Sequence, residues 1–133
     1  IERNKANLKT FKQWMSDDDE GMRWWASVGL NLLEKDARGA SAILKKALTD
    51  ESHEVRILSA WTLIKTGQSD QALATLDELL FQGTENEPML HNVIDWMGEP
   101  ALPLVKKYID NGGSQKGKYG ISILARIAQV QDW

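Results

Sequence analysis

One glycine-rich stretch has the residue types of a phosphate-binding loop. Gly112 and Gly117-Lys118 have the spacing of a P-loop, but Tyr119 stands where that loop needs a Ser or Thr hydroxyl for Mg²⁺. A P-loop also follows a strand, whereas the residues before Gly112 have helical spacing. We therefore interpret this stretch as a turn followed by the start of a helix.

Two other groups contain residue types that bind metals. His91 and Asp95 are four residues apart and share a helix face, but two ligands do not make a zinc site and His53 lies in a different loop. Residues 17–21 (DDDEG) are acidic enough for calcium, yet they lack the alternating ligand spacing and the later bidentate Glu of a calcium-binding loop. An exposed polar pair and a capped helix start explain these residues better. We expect no catalytic residue, no cofactor and no metal site.

Composition narrows the classes of function further. The 133 residues are 42% hydrophobic and 26% charged, which is typical of a globular domain. The formal charge is −3 and Lys and Arg are scattered, so we expect no nucleic-acid partner. Absence of cysteine excludes disulfides, thiolate zinc sites and a Cys nucleophile. The apolar runs are shorter than the ~20 residues that span a bilayer, so we expect no membrane insertion. A start at Ile1 suggests a fragment of a longer protein.

The chain contains a sequence repeat with a period of 33 residues. Asp17 and Arg23 open one helical stretch, and Asp50 and Arg56 open the next with the same spacing. Periods of this size mark arrays of helical hairpins. Apolar and small residues recur on one helix face behind each Arg: Met22, Ala26, Gly29, Leu30 and Leu33, then Val55, Ser59, Thr62, Leu63 and Thr66. A second amphipathic stretch follows each time, so each unit is predicted to be a helical hairpin.

A third unit departs from this pattern. Leu90 replaces the helix Arg, and Asp95 falls where the second unit has Trp61, so a polar ladder between repeats should stop there. Its predicted apolar positions are Met89, Val93, Trp96 and Met97, then Leu102, Val105, Tyr108 and Ile109. We predict an all-α fold in one domain, residues 1–133. Its hairpins are at about 17–49, 50–82 and 85–111, with flanking helices at about 3–15 and 117–131.

The spacing of Asp, Arg and the small residues behind them resembles HEAT repeats. In the first unit it reads MRWWASVGL over residues 22–30, and in the second VRILSAWTL over residues 55–63. This resemblance implies a right-handed α-solenoid of about three HEAT-like hairpins with an extra helix at each end. Such arrays are stabilised by contacts between neighbouring repeats.

A narrower resemblance covers most of the chain. Residues 22–30, 50–56 (DESHEVR) and 92–98 (NVIDWMG) resemble the helical C-terminal region of bacterial sulfatases of the arylsulfatase and heparan N-sulfatase type. In that family, a separate upstream α/β domain performs catalysis with a calcium ion and a formylglycine made from a Cys/Ser-x-Pro-x-Arg motif. None of the prolines here, Pro88, Pro100 and Pro103, lies in that motif. The resemblance therefore implies a non-catalytic appendage of a sulfatase-like protein, in a periplasmic or secreted location.

The six tryptophans need an explanation in so short a chain. Trp25, with Val28 and Leu32, forms a second apolar strip that Leu58 and Trp61 repeat in the next unit. Contact between repeats is the simpler interpretation of this strip.

Trp24 lies nearly opposite the apolar helix face that carries Ala26 and Leu30, where a lone helix would expose it to water. Exposed tryptophan beside an apolar strip is typical of an interface hot spot. We predict Trp24, Trp25 and Trp61 as a candidate interface, unless the N-terminal helix around Phe11 and Trp14 covers them.

These observations favour a structural or docking module whose partner is a protein, the catalytic domain of a sulfatase-like hydrolase on the same polypeptide. The alternative is an independent HEAT-type scaffold for protein–protein interaction. In a third interpretation, Arg56 or lysines of the second helices contribute to a pocket for a sulfated glycan. Their ordinary helix-surface spacing gives this interpretation little support.

Overall fold

The computed structural model describes residues 5–111 and 113–130, with side chains for residues 5–110 and 120–129. Over these residues the chain is entirely helical, without a strand, which confirms the predicted all-α fold class. The α-helices are α1 (Leu8–Trp14), α2 (Glu20–Leu32), α3 (Ser41–Ala47), α4 (His53–Lys65), α5 (Asp70–Gln82), α6 (Glu87–Met97), α7 (Leu102–Asn111) and α8 (Gly113–Val130). Short 3₁₀ helices lie at Lys5–Asn7, Glu34–Ala40 and Glu99–Ala101.

The chain forms two compact units, residues 1–75 and 76–133, and the boundary between them falls within α5. The helices of the first predicted hairpin are α2 and α3, those of the second are α4 and α5, and those of the third are α6 and α7. That each pair packs as a hairpin stays a prediction. The N-terminal flanking helix is α1 with the 3₁₀ turn before it. The C-terminal flanking helix, α8, begins at Gly113, earlier than the predicted start near residue 117. A single domain over residues 1–133 stays a prediction.

Unit 1 is built around α2 and α4. α2 packs against both α1 and α4, and α3 packs against α4. The apolar helix faces predicted behind Arg23 and Arg56 form the core of this unit, since all their members are buried except the half-buried Met22. Gly29 allows the closest approach of α1: a Cβ there would lie 2.6 Å from the Phe11 ring. Burial of this continuous apolar surface is what holds the short helices together.

Asp17 and Asp50, which the 33-residue repeat relates to each other, have the same structural role in their two loops. The Asp17 Oδ1 accepts a hydrogen bond from the Asp19 N–H, and the Asp50 Oδ1 accepts one from the Ser52 N–H, both at 2.9 Å. Each carboxylate thereby fixes the turn that precedes a helix. Asp19 in addition caps α2, accepting from the Met22 N–H at 3.0 Å.

Unit 2 contains the C-terminal half of α5, from Leu76 to Gln82, and the described parts of α6, α7 and α8. α8 packs against both α7 and α6. Buried apolar side chains of the three helices form its core: Leu90, Val93, Ile94, Leu104, Val105, Tyr108, Ile123 and Ile127. Gly120 allows α7 to lie close to α8, because a Cβ there would be 2.6 Å from Ile109 Cγ1.

Among the described residues, no helix has both the length and the apolar character needed to cross a membrane.

Candidate functional site

The most exposed of the three predicted interface residues is Trp25. Half of its surface is accessible (50%), whereas Trp24 is half-buried. The two rings meet edge to face, with centroids 4.7 Å apart and planes at 75°. This packing arrangement is favourable for aromatic pairs and restricts the movement of both indoles.

The sequence predicted both tryptophans as interface residues and placed Trp24 on the side of α2 that a lone helix would expose to water. In the structure α2 is also enclosed on the Trp24 side, where Ser27 and Asn31 are buried. The Asn31 amide donates to Thr62 Oγ1 at 3.1 Å, which places α4 against that side. The side of α2 that carries Trp25 is therefore the one left to solvent.

Trp61 lies on α4 and is half-buried. The ammonium group of Lys65 is 4.3 Å from the centroid of its ring, within the range of a cation–π contact. The same ammonium donates to Asn31 Oδ1 at 3.0 Å. Lys65 thus connects the Trp61 ring of α4 to α2. We name Trp24, Trp25, Trp61 and Lys65 the tryptophan surface.

Arg23 makes several hydrogen bonds within unit 1. Its Nε donates to Asp50 Oδ2 at 2.9 Å, and its Nη2 donates to Glu51 Oε1 at 3.0 Å. Its Nη1 donates to the carbonyl oxygens of Asp17 and Asp18, both at 3.0 Å. The hydrogen bond that Arg23 donates to the Asp50 carboxylate raises the pKa of Arg23.

This arrangement makes Arg23 a link between two repeats. Arg23 of the first unit binds Asp50 at the start of the second, as expected for a polar ladder. Arg56, one repeat later, donates from Nε to the Leu48 carbonyl at 3.0 Å. Leu90, which replaces the arginine in the third unit, is a buried apolar side chain. The role of Arg23 is structural, because its contacts hold loops in place.

The residues considered for metal or phosphate binding have other partners. Asp95 pairs with Arg126 at 3.2 Å, and the His91 ring lies 6.3 Å from the Tyr108 ring. Burial lowers the pKa of His91. No cluster of three or more potential ligands for a metal ion occurs among the residues that the structure describes. Of the P-loop-like stretch, Gly112 lies outside the described residues, and residues 117 and 118 lie within α8.

Two exposed features were missed by reasoning from the sequence. Trp96 was predicted on the apolar stripe of the third unit, but 65% of its surface is exposed. It lies between Asp95, which binds Arg126, and the buried Met97, so the stripe of α6 is narrower than its apolar sequence. The second feature is an apolar groove along α7, which hydrophobic periodicity does not distinguish from core.

Comparison with known families gives one match in the middle of the chain. Residues 31–95, just under half of the sequence, are similar to the tetratricopeptide repeat. This stretch runs from the end of α2 into α6. The match indicates a helical repeat of the kind that serves in protein–protein interaction. No curated protein gave a significant match.

Proposed function

We propose that this chain is a non-catalytic docking module that binds another protein through its tryptophan surface. The observation that carries the proposal is the half-exposed Trp25 ring held against Trp24 on α2. Tryptophans that a rigid scaffold presents to solvent are the usual anchors of protein interfaces. The similarity of residues 31–95 to a tetratricopeptide repeat supports the same class of function.

The geometry of the tryptophan surface suits binding. Trp25 already packs on a neighbouring ring, so little side-chain freedom would be lost when a partner covers it. Lys65 lies between Trp61 and Asn31 and offers a positive charge beside an aromatic face. A complementary partner would present an apolar pocket for Trp25 and an acidic or carbonyl group for Lys65.

For the identity of the partner, we propose the catalytic domain of a bacterial sulfatase-like hydrolase on the same polypeptide. The support for this assignment is the sequence resemblance over residues 22–30, 50–56 and 92–98. Reading the coding sequence upstream of Ile1 tests it directly. A Cys/Ser-x-Pro-x-Arg motif there would agree with the proposal, and its absence would leave the independent repeat scaffold, of HEAT or tetratricopeptide type.

The docking proposal is tested by replacing Trp25. With the upstream domain produced separately as the binding partner, Trp25→Ala should weaken association at least about tenfold, as expected for loss of an interface anchor. Trp25 is preferable to Trp24 because its larger exposure means that less packing is lost. Titration calorimetry measures the affinity, and circular dichroism verifies that the variant is folded.

Trp14→Ala is a matched control for this experiment. Trp14 is also an exposed indole of unit 1, but it lies on α1 beside Phe11, with ring centroids 6.2 Å apart. Its replacement should leave the affinity unchanged. If folded Trp25→Ala binds as tightly as the unaltered chain, the tryptophan surface is not the docking site.

A further inference from the structure

Unit 2 has an apolar groove that its own core does not fill. Its volume is about 710 Å³. Apolar atoms of α7 and α8 form most of its wall, from Leu102, Pro103, Val105, Ile109 and Leu124. Such a groove on the surface of a small helical unit marks a place where another chain can pack.

Exposed side chains extend this apolar surface along α8. Leu124 is 37% exposed, and Ile121, one turn earlier, is 58% exposed. Residues three apart lie next to each other on a helix. The partner that covers the groove must therefore supply apolar surface of its own.

The two charged residues of the groove limit the choice of partner. Lys106 and Asp110 lie one turn apart on α7, and the Lys106 ammonium is 2.8 Å from the Asp110 carboxylate. A partner surface of a single charge sign would attract one of these residues and repel the other. A second copy of the same surface avoids this conflict. When a two-fold axis passes between the two positions, each lysine faces the aspartate of the other copy.

We propose that this groove is a self-association surface through which two copies of the chain form a symmetric dimer. Ile121, Leu124 and the apolar wall of each copy pack against the other. Lys106 and Asp110 exchange their intrahelical contact for two contacts between copies. Because the surface is small, the dimer is weak, with a dissociation constant in the micromolar range or above.

Sedimentation equilibrium of the 133-residue chain tests the proposal. The unaltered chain should change from monomer to dimer as its concentration rises from micromolar to millimolar. Ile121→Glu should raise the dissociation constant at least about tenfold, because it places a charge in an apolar contact. Trp14→Ala in unit 1 removes an exposed apolar side chain outside both proposed surfaces and should leave the dimer unchanged.

Charge exchange provides a second and independent test. Lys106→Glu and Asp110→Lys should each weaken the homodimer, because each places like charges opposite one another across the axis. An equimolar mixture of the two folded variants should form a heterodimer more readily than either variant pairs with itself. Both positions are exposed, so neither variant should unfold the chain.

Three results would overturn the proposal. A chain that stays monomeric at millimolar concentration leaves the groove to a helix of a different protein. Dimerisation of Ile121→Glu with unchanged affinity places the dimer contact elsewhere. Charge variants that do not prefer each other in the mixture exclude the two-fold pairing of Lys106 with Asp110.

Discussion

At the scale of single residues, Arg23 shows how a repeated motif becomes a stabilising contact. Its side chain and that of Asp50 are only 10% and 12% exposed, so both charges are largely removed from water. The guanidinium binds both carboxylate oxygens of Asp50, with Nη2 to Oδ1 at 3.2 Å completing the pair. Glu51 is 82% exposed, and its contribution to the free energy of folding should be small.

We expect Arg23→Ala to lower the free energy of unfolding by about 3 kcal/mol, because it leaves the largely buried Asp50 carboxylate without its positively charged partner. Urea denaturation measures this loss. Arg38→Ala is the control, since Arg38 is exposed and its guanidinium makes one long contact, 3.3 Å, with the Thr66 carbonyl. A loss for Arg23→Ala no larger than that for Arg38→Ala would contradict the assignment.

At the scale of elements, the 33-residue repeat also relates the ends of α2 and α4, where a residue with positive φ follows each helix. α2 is followed by Glu34 with φ of 53°, and α4 is followed 33 residues later by Gly67 with φ of 81°. A positive φ reverses the chain direction after a helix, and glycine adopts it without a steric penalty. The position after the helix is therefore occupied by glycine, the favoured residue, in the second unit and by Glu34, a disfavoured residue, in the first.

This difference predicts opposite effects of substitution at the two helix ends. Gly67→Ala should lower the free energy of unfolding by about 1 kcal/mol through backbone strain alone, since no atom lies within 4 Å of the added Cβ. Glu34→Gly should raise it by up to about 1 kcal/mol. Thermal unfolding of both variants provides the measurement. Equal signs for the two changes would show that φ does not control stability here.

At the scale of the whole molecule, the fold is divided into two compact units, and each has its own core. Their polar contacts differ in character. In unit 1, buried Arg23 and Asn31 connect one repeat to the next. In unit 2, the partly buried His91 lies near the Tyr108 ring, which in turn meets the Phe81 ring edge to face. Titration of His91 should therefore give unit 2 a stability that depends on pH.

Burial is the main reason that the pKa of His91 lies below its ordinary value of 6.5, and the charge of Glu87 opposes the effect. The unfolded chain therefore binds a proton at higher pH than the folded chain does. The contribution of neutral His91 to the free energy of unfolding should be complete above pH 6.5. It should be lost as the pH is lowered from 6.5, in a range where the carboxylates are still ionised. Urea denaturation between about pH 7 and pH 5 measures how the free energy of unfolding changes with pH. Histidine titrates in this range, whereas ordinary carboxylates titrate below it. His91→Gln should flatten this pH dependence, and an unchanged slope would exclude His91 as its source.

The sequence alone determined the all-helical fold class, the buried apolar faces of α2 and α4 and the position of Arg23 between two repeats, because a 3.6-residue period and a 33-residue repeat can be read along the chain. It did not determine which tryptophan faces solvent. That depended on α4 enclosing the Ser27 and Asn31 side of α2, a contact between helices that one helix's periodicity does not encode. The exposure of Trp96 and the groove along α7 were likewise decided by tertiary packing, since the side of an apolar helix that stays uncovered depends on its neighbours.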